Sequence, residues 1–267
     1  MKDDISTGNP DIDKRIQAAL EKEKTQICLP FWGDSHRAMP NHIARSALFT
    51  PIKKGSREFI DNEVIWSRKE VEIIYTGRRL DESDADLWMQ LLHYNRNKPL
   101  SKKIELSRAG LLKDLGKSNG SKSYKWLDAA IRRLGGSIII ETKRYIFSEV
   151  LLQGYSLDKQ KGKYYFQISN EIAKLFTNSE FSLIKAKNRY KLKYDLSKSL
   201  QRHIATSSTT KQSFQYIDLL KRFKRKTEIR YLKRDLKKVC KDLEDQKIIT
   251  NYEIKADKLI IWRTKIT

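Results

Sequence analysis

Cysteine is nearly absent: Cys28 and Cys240 are the two in 267 residues. Two isolated thiols exclude a disulfide framework and a cysteine-based zinc set, and they suit a reducing compartment. Histidine is as sparse. His36, His42, His93 and His203 are too scattered to offer a metal pair or a base beside a nucleophile, and His93 reads as a helix-packing residue. No tyrosine stands with a His-x-His partner, which strand nicking would need. No phosphate-cradling Gly-x-x-x-x-Gly-Lys-Ser/Thr loop is present, since residues 115–118, Leu-Gly-Lys-Ser, lack the first glycine and a preceding strand. The opening Met-Lys-Asp-Asp-Ile-Ser-Thr-Gly holds no apolar signal region, and no window approaches the roughly 20 apolar residues of a membrane span. These absences predict a soluble cytoplasmic binding protein, with no catalytic residue, no metal and no cofactor.

Acidic residues are the minority charge, 33 against 55 Lys plus Arg, for a net +22. Residues 160–267 hold 27 basic and 11 acidic side chains, so +16 of that charge lies in the C-terminal part. Such an excess calls for a polyanion. Lys and Arg neutralise phosphates and release counterions, which gives sequence-independent affinity for nucleic acid. A membrane surface fits less well, because the most basic helix carries an aliphatic stripe without a Trp/Phe-rich face.

That helix lies in the stretch 221–243 and begins after Thr227. Ile229, Leu232, Leu236, Val239 and Leu243 recur at three and four residues, one apolar stripe on a 3.6-residue period, with Thr227 as the expected N-cap. Arg230, Lys233, Arg234, Lys237, Lys238 and Lys241 fall on the other faces, and Lys221, Arg222, Lys224, Arg225 and Lys226 precede them. Eleven cations in residues 221–241 meet two anions, Glu228 and Asp235. Upstream, Phe214, Ile217, Leu220 and Phe223 have the spacing of a short helix. Downstream, β-rich runs at 248–254 and 258–263 flank a polar turn with Lys255 and Lys258 at its edges. Short helix, basic helix, hairpin is the order of a winged helix-turn-helix, whose second helix enters the DNA major groove while the wing reaches the backbone. Taken alone, the basic helix could equally be a solvated surface helix.

An echo about 105 residues earlier favours the DNA-binding reading. Tyr124-Lys125-Trp126-Leu127 and Ile131-Arg132-Arg133-Leu134 superpose on Ile229-Arg230-Tyr231-Leu232 and Leu236-Lys237-Lys238-Val239. Leu111-Leu112-Lys113, in a short helix over 106–115, parallels Leu219-Leu220-Lys221, and strands at 137–142 and 145–150 flank a basic turn, Lys143-Arg144. Three matched elements in one order predict a duplicated module. Lys122, Lys125, Arg132, Arg133, Lys143 and Arg144 are then its DNA-facing cations. The expected class is α+β: two tandem winged-helix domains, residues 40–160 and 161–267, behind an N-terminal helical and extended arm, residues 1–39.

Along the chain, residues 11–25 read as a charge-balanced helix and 26–40 as an extended linker, since Pro30, Gly33 and Pro40 fall together. A helix follows at 41–49, short strands at 63–67 and 70–75, and a helix opening on Leu80-Asp81-Glu82-Ser83-Asp84 with carboxylates in its first turn. Most carboxylates read as solvated. Strands at 151–157 and 164–168, a short helix at 170–176, a helix at 185–194, a helix at 196–205 and a polar loop at 206–210 complete the pattern.

Residues 32–49, Trp-Gly-Asp-Ser-His-Arg-Ala-Met-Pro-Asn-His-Ile-Ala-Arg-Ser-Ala-Leu-Phe, resemble the opening segment of TrfA-type plasmid replication initiators. Leu80, Asp81, Asp84, Asp86, Leu87, Trp88, Leu91, Leu92 and His93 resemble that family's next helix, and Leu115-Gly116-Lys117-Ser118 with Trp126-Leu127 and Arg133-Leu134 its first helix-turn-helix. The resemblance spans about residues 26–262 and is loose over 168–210. It implies a protein that binds repeated plasmid-origin sites (iterons), opens the adjacent duplex and recruits host replication proteins. The implied partners are double-stranded origin DNA, single-stranded origin DNA, the sliding clamp, the replicative helicase, the host initiator DnaA and a second copy in a homodimer.

Gln26-Ile27-Cys28-Leu29-Pro30-Phe31 resembles the hexapeptide form of the bacterial clamp-binding motif, with Gln26, Ile27, Leu29 and Phe31 as its contacts. The same residues could instead pack the linker onto the first domain. A transcriptional regulator with the same DNA-binding modules and no recruitment role is the alternative to an initiator.

Overall fold

The structure is a computed structural model that describes residues 9–15, 27–52, 57–67, 70–100 and 102–264. Strand β1, His36–Pro40, leads into helix α1, Asn41–Arg45. Strands β2, Phe59–Ile65, and β3, Val71–Arg78, precede helix α2, Glu82–Asn95. Then come β4, Ile104–Ser107, α3, Arg108–Asp114, and α4, Ser121–Arg133. Four strands follow: β5, Ser137–Thr142, β6, Ile146–Val150, β7, Gly154–Asp158, and β8, Lys163–Gln167. After a 3-10 helix, Asn170–Ser179, the chain forms β9, Phe181–Lys185, α5, Ala186–Tyr190, and α6, Asp195–Ala205. It ends in β10, Lys211–Gln215, α7, Tyr216–Arg222, α8, Ile229–Asp245, β11, Ile249–Ile254, and β12, Lys258–Arg263. The class is mixed α and β.

Helix α2 is the axle of the first core. Asp81 caps it by accepting from the Ser83 and Asp84 amides, and the Asp84 carboxylate accepts from the Asp81 amide, a reciprocal capping box. Beyond the cap, Ala85, Leu87, Trp88, Met89, Leu91 and Leu92 are all buried, and Trp88 donates to the Leu151 carbonyl at 2.9 Å. Around it lie a sheet ordered β2-β3-β5-β6, a sheet ordered β4-β8-β7 and the antiparallel pair β1-β9. The second core gathers Leu192, Leu200, Leu219, Phe223, Leu232, Leu236, Val239 and Leu243 against a sheet ordered β10-β12-β11.

Several expectations give way to packing. The segment 26–40 is no linker where it is described. Residues 36–40 pair with 185–181, and Trp32 is buried with its ring stacked on Phe176 and donating to His93 Nδ1 at 3.1 Å. Burial and Arg37 pull the His93 pKa down to about 4, which keeps the imidazole neutral and able to accept that bond. Helix α1 stops at Arg45 and not at residue 49, because the Ser46 hydroxyl takes the Ile43 carbonyl and accepts from the Leu48 amide. Residues 104–107 and 211–215 are strands, each continuing into its short helix. The 185–194 stretch divides into the end of β9, α5 and a loop.

The carboxylates of α2 are not solvated. Glu82 is fully buried between Arg189 at 2.9 Å and Arg202 at 2.6 Å, Asp86 meets Arg189 and Lys198, and Asp84 meets Arg133 at 2.7 Å. The expected division after residue 160 falls in the turn between β7 and β8, which pair with each other. The buried residues of the first core end at Ile184 and those of the second begin at Leu192. Of the expected N-terminal helix, residues 10–15 are helical and 16–25 lie outside the described residues.

Candidate nucleic-acid interface

The two helix pairs repeat each other down to the turn. Leu115 and Phe223 amides bond the Leu111 and Leu219 carbonyls at 3.1 and 2.9 Å, and Lys117 and Arg225 amides reach back to Leu112 and Leu220 at 2.8 and 2.9 Å. Between them stand Gly116, at φ +67°, and Lys224, at φ +47°, the left-handed residue that ends a helix in this motif. In the longer helices Leu127, Ile131 and Leu134 are buried at positions matching Leu232, Leu236 and Val239. The register read from the sequence therefore holds. Cys240 and Leu243 extend the buried side, whereas Ile229 is half-exposed and Glu228 takes the N-cap position expected for Thr227, without a side-chain bond.

The strands extend the parallel and correct it. Order β4-β8-β7 matches β10-β12-β11, so the hairpin equivalent to β11-β12 is β7-β8. The expected first wing, β5-β6 with Lys143 and Arg144, belongs to the other sheet, where β5 pairs with β3 in full register. Exposed Lys159 and Lys161, in the β7-β8 turn, take the wing position and were not among the expected contacts. Their signal was legible in Asp158-Lys-Gln-Lys-Gly162, a basic turn between two strands, but its place depended on the long-range pairing of β4 with β8.

The outward faces are cationic. On α4, Lys122, Lys125 and Arg132 are exposed; on α8, Arg230, Arg234, Lys237, Lys238 and Lys241. Lys221, Lys224, Lys226 and Lys255 are exposed around α8, with Arg225, Lys233 and Lys258 partly so. Several are paired within the fold: Lys224 with Glu63 at 2.6 Å, Arg225 with Asp235 at 2.8 Å, Lys241 with Asp245 at 3.0 Å and Lys255 with Glu253 at 2.7 Å. Exposed pairs of this kind are worth little and leave their cations free to exchange to phosphate.

Two expected contacts are interior. Arg133 is 9% exposed and its guanidinium forks onto Asp84 with bonds of 3.1 and 2.7 Å. Arg222 is 0% exposed and donates to the Ala44 and Ser199 carbonyls, each at 2.8 Å. Neither can reach a phosphate. Both sit on the buried side of their helices, a side that a charged residue type conceals from a sequence reading.

In the hexapeptide, Gln26 lies outside the described residues. Leu29 is 4% exposed and packs into the first core, the Ile27 carbonyl accepts from the Leu100 amide at 3.1 Å, and Phe31 stands 76% exposed. Among the described residues no group of His, Cys, Asp and Glu could hold a metal ion, and no helix is long and apolar enough to cross a membrane.

The profile of the family described as "TrfA protein" matches residues 13–260. A plasmid replication initiator protein TrfA from Escherichia coli is 37% identical over 144 residues, covering 48% of this chain and 38% of its own length, so the chain spans well under half of that relative. Domains 2 and 3 of RctB superpose with a TM-score of 0.60 at 12% identity, covering 86% of this chain and 99% of that one. The Pi initiator protein, solved in complex with iteron DNA, superposes at 0.54 and 12% identity, covering 73% of this chain and 98% of that one.

Proposed function

The chain belongs to the TrfA protein family, and from that premise we propose that it is a plasmid replication initiator that binds repeated origin sites through two winged-helix units. The observation that carries this reading is the duplication: two helix pairs with the same turn, the same buried register and an outward basic face on each second helix. The units run over about residues 27–190 and 191–264, in place of a division at residue 160. Helix α8 enters one major groove and α4 a second, while the β11-β12 and β7-β8 turns approach the backbone.

Opening of the adjacent duplex, binding of the exposed single strand, and recruitment of the clamp, the helicase and host DnaA belong to the same reading, as do a cytoplasmic location, action by binding and not by catalysis, and a homodimeric state. For the clamp, exposed Ile27 and Phe31 are the available anchors, and Leu29 would have to leave the core to join them. The Pi protein supports the DNA-binding part, since a chain of this fold was solved on iteron DNA. The test is replication of a plasmid that carries the cognate repeats and this gene as its sole initiator. Replication lost when Arg230, Arg234 and Lys237 are reversed to Glu supports the reading. Repression of a promoter with no replication would instead establish the regulator.

A further inference from the structure

Phosphates accept any cation, but a guanine edge in the major groove is read by the fork of an arginine, which reaches O6 and N7 together. Helix α8 turns two arginines outward, Arg230 and Arg234, with side chains 69% and 66% exposed. Arg230 would first have to exchange exposed partners. Its Nε lies 2.9 Å from Glu228 Oε2, and its Nη2 donates to Glu228 Oε1 at 3.0 Å and to the Tyr231 hydroxyl at 3.1 Å. Arg234 differs. Its nearest carboxylate oxygen, Asp235 Oδ1, is 3.8 Å from Nε, and that carboxylate accepts from Arg225 at 2.8 Å. The terminal nitrogens of Arg234 make no hydrogen bond to a described residue.

What does hold Arg234 is a ring. Its Cζ lies 5.4 Å from the Tyr231 centroid, with the Arg230 Cζ at 4.7 Å from the same ring. Tyr231 and Arg234 are three apart, so they share a helix face, and stacking limits the rotamers that a free arginine would lose on binding. Both stand in the first turns of α8, the part of a recognition helix that meets base edges. The first unit has no equivalent. Ala129 occupies the position matching Arg234, and Trp126, matching Tyr231, carries the ammonium of Lys117 over its ring at 4.2 Å.

We propose that Arg234 reads a guanine under the second unit and that Tyr231 is the positioning residue that aims it, an inference resting on the DNA-binding reading above. The repeat is then read unequally, with a required guanine under α8 and none read in this way under α4.

Duplexes are selected from a random pool by the full chain and by Arg234→Ala, Arg234→Lys, Tyr231→Leu and Tyr231→Phe, each first shown to keep the wild-type thermal midpoint. The wild type is expected to select a guanine that Arg234→Ala does not. Replacing that base by 7-deazaguanine, which lacks N7, should weaken wild-type binding about ten- to a hundredfold and leave Arg234→Ala unchanged. Arg234→Lys should lose the discrimination yet keep the salt dependence, since its charge is retained. Tyr231→Leu should lose most of it and Tyr231→Phe keep it. The same guanine selected by Arg234→Ala, with the same 7-deazaguanine penalty, overturns the assignment to Arg234; Tyr231→Leu behaving as wild type overturns the positioning role. Failure of the wild type to select any sequence overturns the DNA-binding reading itself.

Discussion

Asp81 and its neighbours set opposed responses to pH within the first two turns of one helix. Burial and the adjacent Asp84 raise the Asp81 pKa to about 6, although Arg57 pulls the other way. Its folded value lies above the ordinary 3.8, so the folded state holds the extra proton between about pH 4 and 6 and stability falls as pH rises through that window. Burial pushes Glu82 and Asp86 up as well, but Arg202 and Arg189 around Glu82, and Arg189 and Lys198 around Asp86, bring both below their usual range. Their contribution is present above the ordinary carboxylate pKa and is lost as pH falls through the depressed values. Asp81→Asn keeps a capping side chain and removes the first response. Relative to wild type, the variant should gain on the order of 2 kcal/mol between pH 4 and pH 7 in urea unfolding; an unchanged difference would show that Asp81 is ionised throughout. Arg222 is tested against its neighbour. Arg222→Ala strands buried carbonyls and should cost roughly 2–4 kcal/mol, whereas Lys221→Ala should leave the urea midpoint in place.

At the scale of the element, α8 separates binding from folding. Reversal of Arg230, Arg234 and Lys237 to Glu touches none of Leu232, Leu236, Val239 and Leu243, so specific DNA binding should vanish in a gel-shift assay while the thermal midpoint holds. Neutralising Lys238 alone should lower the log-log salt slope by about one unit if it meets a phosphate. The helix and its echo were legible because burial at 232, 236 and 239 follows the 3.6-residue period and repeats at 127, 131 and 134. The short helices were less so. Phe214 is buried from a strand, and Ile217, placed in the expected stripe, is 61% exposed, because the core takes Tyr216, Leu219 and Phe223 from α7. Strand pairings such as β4 with β8 join residues about 60 apart, and no local pattern states which hairpin answers a given strand.

Across the whole molecule, the acidic turn of α2 clasps the second unit. Arg202 closes on Glu82 from α6, beside Arg189 of the first unit, and also donates to the Phe49 carbonyl at 2.6 Å, and Arg222 reaches Ala44 from α7. Composition concealed this network, since its three buried arginines read as surface charge in a chain of net +22. Removing one partner of a buried pair is severe: Glu82→Gln should cost roughly 3–5 kcal/mol and resolve unfolding into two calorimetric transitions, one per core. With the clasp intact, α4 and α8 are held at one separation and cannot seek their grooves independently. A monomer should then protect roughly two helical turns of a repeat from nuclease, in a single binding transition at one protein concentration. Under the triple reversal on α8, protection should disappear across both turns together, because α4 alone, with Lys122, Lys125 and Arg132 exposed, carries too little charge to hold the DNA. Protection of one turn by the wild type, or survival of the α4 half in the variant, would show that the units bind separately and that the clasp does not govern how they meet DNA.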